Sequence, residues 1–153
     1  MSMNYSMKNY DKAMMAKAFG MNLPISRKQS FEICKYIRYK KLNTAKKLLE
    51  EVISKKKAVP FGRYNTDLGH KPKIGPGSYP VKASKEILRL IENAEANAQF
   101  KGLNTSNLYI NHIKVNQSPK AWHYGRKSRR RMKRATVEVV LGEKVSGEKK
   151  KND

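Results

Sequence analysis

The chemistry of this chain is concentrated between Lys114 and Arg134, in the run Lys-Val-Asn-Gln-Ser-Pro-Lys-Ala-Trp-His-Tyr-Gly-Arg-Lys-Ser-Arg-Arg-Arg-Met-Lys-Arg. Nine of these residues are Lys or Arg and none is Asp or Glu. The acid-free zone is wider still, from Ala96 to Val137. Trp122, His123 and Tyr124 lie inside the charged run. Cations neutralise phosphates, and aromatic faces stack on unpaired bases. Five of the nine arginines fall between Arg126 and Arg134, in a chain that elsewhere prefers lysine. Arg offers a planar fork to phosphate and a flat face to bases, where Lys offers a point charge. The bland alternative is a solvated charge run, but such runs rarely carry Trp and Tyr. The pattern predicts a nucleic-acid-binding segment, suited to RNA rather than DNA.

Other chemistries lack their residues. His70, His112 and His123 are scattered, and no Cys-x-x-Cys or His-x-x-x-His spacing exists, so no metal site is expected. No Gly-rich phosphate loop is present, and Gly75-Pro-Gly77 reads as a turn. The 12 acids fall mostly on expected helix surfaces or in the tail, and no pair is suited to acid–base work. Neither enzymatic activity nor a cofactor is expected. DNA-binding modules are absent too: there is no zinc-finger spacing, basic zipper or clear helix-turn-helix. Cys34 is the one cysteine, which precludes an intrachain disulfide and fits a reducing compartment. It reads as a small buried residue on a helix.

The chain has 153 residues and a formal charge of +22. That length allows one domain with a real core. That charge repels itself and seeks a polyanion. No segment approaches the ~18 consecutive apolar residues of a membrane helix, and no membrane partner is expected. Met1 to Gly20 has no apolar h-region, so no secretory signal is expected.

The elements that must position the basic run follow from periodicity. Residues 1–12 read as an extended arm, and Ala13 to Asn22 as a strand. Ser26-Arg-Lys-Gln29 has the form of a capping box, and Phe31, Ile33, Cys34 and Ile37 follow, predicting a helix over 27–40. Asn43 or Thr44 caps a second helix with the stripe Ala45, Leu48, Leu49, Val52 and Ile53, ending near Lys56. Pro60 to Pro80 holds four Gly and four Pro and reads as a loop. Phe61, Arg63, Tyr64, His70, Lys71 and Lys73 make it an RNA-packed loop rather than a free linker. The third helix runs from Val81 to Lys101 on Ala83, Ile87, Leu90, Ile91, Ala94 and Ala98, with Gly102 as its left-handed C′ residue. Glu86, Glu92 and Glu95 are expected to be solvated. Asn93 and Asn97, four apart, are expected to bond locally.

Leu108–Val115 alternates and Ala135–Leu141 is rich in β-branched residues, so both read as strands. The basic segment joins them as a long hairpin, reaching roughly 30 Å beyond the sheet at the rise of a strand. Such a finger buries no core of its own and must be ordered by a partner. Trp122 either stacks on a base or packs against the opposite arm. The expected fold is α+β: a small antiparallel sheet packed on three helices, with a long basic β-hairpin projecting from the body. One globular domain is expected over 13–143, including the hairpin at about 114–136, followed by a charged tail over 144–153. No internal repeat is evident.

In this order of parts the chain resembles the large-subunit ribosomal protein "L-twenty-two" family, called "L-seventeen" in eukaryotes. The residues carrying the resemblance are Ala58-Val-Pro-Phe-Gly-Arg-Tyr-Asn65, Gly69-His-Lys71, Tyr79-Pro-Val-Lys-Ala-Ser84 and Glu92-Asn-Ala-Glu-Ala-Asn97 with Lys101-Gly-Leu103. Ile113-Lys-Val-Asn116 and Pro119-Lys120 match where the hairpin begins. The likeness spans roughly residues 13–143 and is closest to the archaeal/eukaryotic branch, with the short tail favouring an archaeal source.

The resemblance implies a structural constituent of the large ribosomal subunit in the cytoplasm. Such a protein binds large-subunit rRNA, supports its folding and assembly, and lines the peptide exit tunnel with its hairpin tip. Its implied partners are rRNA, neighbouring ribosomal proteins and the nascent polypeptide; no membrane and no homo-oligomer is implied. Carried over, Arg27 and Lys28 meet rRNA at the start of the first helix, and Arg63, Tyr64, Asn65, His70 and Lys71 meet it from the loop. Lys120, Trp122, His123, Tyr124, Arg126, Lys127, Arg129, Arg130, Arg131, Lys133 and Arg134 form the threaded finger. The segment after Pro119 is a few residues shorter than the family pattern, and Tyr124-Gly125-Arg126 stands for the usual Ala-x-Gly-Arg tip. The tunnel-lining tip is therefore placed at Trp122, His123, Tyr124, Gly125, Arg126 and Lys127, within about 122–130.

Three rivals share the charge. A free-standing RNA chaperone or DNA-compacting protein needs no fixed order of charges. An enzyme acting on RNA needs converging carboxylates or histidines. A membrane-surface peptide would keep binding liposomes in the presence of competing RNA.

Overall fold

Residues 5–143 are described by the computed structural model. The expected tail at 144–153 and the first four residues of the arm lie outside them. In chain order the elements are β1 (Met15–Leu23), α1 (Arg27–Ile37), α2 (Leu42–Ile53), β2 (Val59–Pro60), β3 (His70–Lys71), β4 (Gly75–Ser78), α3 (Val81–Phe100), β5 (Leu108–Gln117) and β6 (Ala135–Glu143). They form two antiparallel sheets, in the orders β1-β6-β5 and β2-β4-β3. The fold is α+β.

Strand β6 is central because its sequence allows burial on both faces. Val137, Val139, Val140 and Leu141 are all fully buried. It pairs with β5 from Leu108↔Glu143 to Gln117↔Ala135, and with β1 from Met15↔Gly142 to Leu23↔Ala135. Helix α3 lays Ile87, Ile91, Ala94 and Ala98 into the core shared with this sheet. Burial of that stripe, at roughly 25 cal/mol per Å² of apolar surface, ties α3 down. The small alanines let the helix approach closely. Gly102 ends it at φ 74°, with Gly102 N–H donating to Gln99 O at 2.9 Å and Leu103 N–H to Ala98 O at 3.0 Å. This is the Schellman pattern that the glycine predicts.

Tertiary contacts move several boundaries. Helix α1 stops at Ile37 rather than 40, because Tyr39 N–H donates to Ile110 O at 3.0 Å instead of continuing the helix, and Arg38 Nη2 adds a bond to Ile113 O at 2.9 Å. Tyr39 adopts φ 62° to do so. Ser26 holds the N-cap position, but its side chain makes no capping bond. Helix α2 begins at Leu42, so its N-cap is Lys41 rather than Asn43 or Thr44, and it ends at Ile53. Lys41 is fixed there by its bridge to Tyr109.

The stretch from Pro60 to Pro80 is not wholly loop, since it contributes β3, β4 and the end of β2. Its strands are too short and too rich in Gly and Pro to carry a β signal. Glycine is what permits the pairing at position 77: a Cβ there would meet Lys71 Cγ at 3.1 Å and Val59 O at 3.3 Å.

Two polar expectations on α3 also change. Glu95 is half-buried and pairs with Lys46 of α2. Asn97 bonds not locally but to β1, its Nδ2 donating to Lys17 O at 2.9 Å. The arm packs back on the body: Lys101 Nζ donates to Tyr10 Oη at 2.9 Å and to the carbonyls of Lys12 and Met15 at 3.0 and 2.8 Å. Cys34 is buried on α1, and burial pushes its thiol up to about 12.

Candidate nucleic-acid interface

Beyond the Gln117–Ala135 pair the two arms stay joined by backbone bonds. Ser118 N–H donates to Arg134 O at 3.4 Å, Met132 N–H to Ala121 O at 2.8 Å and His123 N–H to Arg130 O at 2.8 Å. A 3-10 turn at Gly125–Lys127, entered with Gly125 at φ 64°, reverses the chain. The turn is glycine's because L side chains avoid that region. Trp122 sits opposite Arg131, whose guanidinium carbon lies 4.3 Å from the ring centroid. Of the two readings of Trp122, the structure shows packing against the opposite arm. The opposite arm covers part of the ring, yet Trp122 remains 55% exposed and Tyr124 87%. Lys120, Arg126, Lys127, Arg129, Arg130 and Lys133 are also exposed.

The pairing of β1 with β6 decides what faces the base of this hairpin. Leu23↔Ala135 carries the β1–α1 turn alongside residues 131–134. Arg134 Nη1 donates to Asn22 O at 3.2 Å across the join. Two adjoining recesses result. One, of about 250 Å³, sets Arg27 and Lys28 against Lys120, Lys133 and Arg134. The other, of about 500 Å³, sets Ile25 of the turn, Gln29 of α1 and Lys82 of α3 against His123, Arg131 and Met132. No Asp or Glu lines either recess. Arg27 and Lys28, singled out separately in the sequence, thus join the hairpin cations in one basic face.

A third group is built on Tyr64. Its ring lies edge-on to Phe31 at 5.6 Å. Arg63, Lys28 and Arg27 approach the ring centroid at 5.5, 5.7 and 5.9 Å. Glu32, buried on α1, holds the loop in place by accepting the backbone N–H groups of Gly62, Arg63 and Tyr64 at 3.3, 2.9 and 3.0 Å. Phe31 and Glu32 were not among the expected site residues. The available signal was that Glu32 is the one acid between Asp11 and Glu50. Asn65 is exposed on the same loop. His70 and Lys71 lie on β3 and line neither recess; Lys71 Nζ instead sits 5.8 Å from the Tyr79 ring centroid.

Glu138, which bounds the acid-free zone, is withdrawn from the surface. Its carboxylate accepts Ser6 N–H at 2.9 Å and the Ser6 hydroxyl, and lies 3.3 Å from His112 Nε2. Burial opposes its ionisation, but the bonds from Ser6 and the His112 ring outweigh it and leave the carboxyl below its usual value. Among the described residues no His, Cys, Asp and Glu gather as a metal-binding group. Cations, exposed aromatics and an absence of acid along both recesses suit a phosphate chain with unstacked bases.

The profile of the family "Ribosomal protein L22p/L17e" matches residues 18–140. The chain is 42% identical over 136 residues to the large ribosomal subunit protein uL22 of Methanococcoides burtonii, covering 84% of this chain and 89% of that protein. It is 41% identical over 147 residues to the protein of that name from Archaeoglobus fulgidus, covering 90% and 94%. With the Methanocaldococcus jannaschii protein it shares 44% identity over 138 residues, covering 84% and 87%.

Proposed function

The chain belongs to the ribosomal protein L22p/L17e family, a structural and non-enzymatic component of the large ribosomal subunit, and from that premise we propose that it binds large-subunit rRNA through the basic face at the hairpin base. The observation that carries this reading is the convergence of Arg27, Lys28, Lys120, Lys133 and Arg134 around one acid-free recess. Each phosphate neutralised there releases counterions, so affinity falls steeply with salt. The hairpin arms expose nearly all their side chains and bury no core, so RNA completes what the protein lacks. Ordering the hairpin on RNA couples its folding to subunit assembly. The Tyr64 cluster makes a second rRNA contact on the body, and other proteins of the large subunit are its further partners.

The tip at Trp122 to Lys127 lines the peptide exit tunnel and meets the nascent polypeptide. Tyr124, 87% exposed beside the Gly125 reversal, is the side chain best placed for that contact.

Cell lysate separated on a sucrose gradient at low and moderate salt, and probed for this chain, tests the reading. Co-migration with the large subunit through the salt wash is expected. Recovery only in light fractions, or release by mild salt, would favour a free RNA chaperone instead. A photo-crosslinker at Tyr124 should also label a stalled nascent chain.

A further inference from the structure

The larger recess has a lining that phosphate binding alone does not explain. Its floor is apolar: Ile25 is buried and Met132 is half-buried. Its rims are cationic on both sides, with Lys82 on α3 facing Arg131 and Arg134 on the hairpin. Resting on the rRNA reading above, we propose that this recess receives one unstacked RNA nucleotide, its base against Ile25 and Met132 and its flanking phosphates on Lys82, Arg131 and Arg134.

Four properties favour that ligand. The volume of about 500 Å³ suits a mononucleotide, within the range of pockets that enclose small organic ligands. A phosphate alone would leave the apolar floor unused, whereas a base face buries against it and gains a favourable contact with the methionine sulfur. Cations on opposing walls match a chain that enters on one side and leaves on the other. Gln29 on the rim offers both a donor and an acceptor to a base edge, so the site can discriminate between bases.

Duplex RNA does not fit this geometry. Its bases are stacked inside, and its major groove is too deep and narrow for a protein wall to enter. A bulged or looped nucleotide presents its base without that barrier. An acidic protein segment could satisfy the cations. However, the recess shares Ser26, Lys133 and Arg134 with the neighbouring basic cleft, which makes one continuous path for a phosphate backbone.

The test places a benzophenone amino acid at Gln29 or at Met132 in the full chain, and in a third strain at Lys120 as a marker of general RNA contact. Gln29 is exposed, so that substitution leaves the core untouched even where the Met132 one perturbs it. Large subunits are isolated and irradiated, and crosslinks are mapped by reverse transcription. The expected result is a stop at one and the same unpaired nucleotide from positions 29 and 132, with the Lys120 stop elsewhere. Crosslinks from 29 to base-paired RNA or to protein, or none, while Lys120 still labels RNA, overturn the nucleotide pocket and leave the rRNA reading standing. Failure of Lys120 to label RNA as well sinks both.

Discussion

Glu32 on α1 holds the backbone of Arg63, accepting its N–H at 2.9 Å across 31 residues of sequence. The same carboxylate takes the N–H groups of Gly62 and Tyr64. It ties the backbone of the basic–aromatic loop by hydrogen bonds to a helix whose first turn carries Arg27 and Lys28. Glu32→Ala leaves those donors without their acceptor. Unmade hydrogen bonds of this kind cost about 1–3 kcal/mol in part-buried surroundings. A fall in Tm of roughly 2–12 °C is expected by calorimetry. Glu32→Gln should recover only part of it, because its amide NH₂ faces a backbone donor. An unchanged Tm in both variants would remove the anchoring role.

The latch between Glu138 and Ser6 gives the N-terminal arm a pH dependence. The folded carboxyl sits below its unfolded value, so the folded state binds fewer protons, and stability rises with pH through that window. The contribution is complete above the ordinary glutamate range of about 4.3 and is lost as pH falls through the lowered folded value. The Ser6 amide resonance should keep its hydrogen-bonded shift near neutrality and lose it on acidification. Glu138→Gln should flatten that titration. A Ser6 shift that ignores both pH and the substitution would show that the arm is held otherwise.

Trp122 is the chain's one tryptophan, so its emission reads the hairpin directly. With 55% of it exposed, the free protein should emit like a largely solvated indole. Base stacking should quench that emission when large-subunit rRNA is added. Stacking of this kind is worth about 1–3 kcal/mol per base, so Trp122→Ala should weaken binding by about 5- to 150-fold at fixed salt. Trp122→Phe should retain most of the affinity. Unaltered emission on binding would leave Trp122 only its contact with Arg131.

What the sequence made legible depended on how local each cause was. Helix α3 and its Gly102 cap were readable because apolar spacing and one glycine decide them within a few residues. Strands β5 and β6 were readable from alternation and β-branching. The early end of α1 was not, because Ile110, more than seventy residues away, takes the Tyr39 N–H bond that would have extended it. The small sheet between Val59 and Ser78 was hidden because its strands are built where glycine lets backbones meet, not where side chains favour a pleat. Among the basic residues, the types and the hairpin were visible in the sequence. Their convergence with Arg27 and Lys28 was not, since it follows from the pairing of Leu23 with Ala135.

If the recess at the hairpin base binds rRNA, the placement of its cations matters and not merely their number. The most direct measurement is incorporation of tagged chains into large subunits, quantified across a sucrose gradient. Lys120→Glu, Lys133→Glu and Arg27→Glu together reverse three of the five recess cations, and Lys47→Glu, Lys55→Glu and Lys56→Glu reverse three exposed lysines on and just beyond α2. Both variants change the net charge equally. The recess variant should be lost from the large subunit at moderate salt while the α2 variant stays. Equal retention or equal loss of the two would contradict binding by the recess.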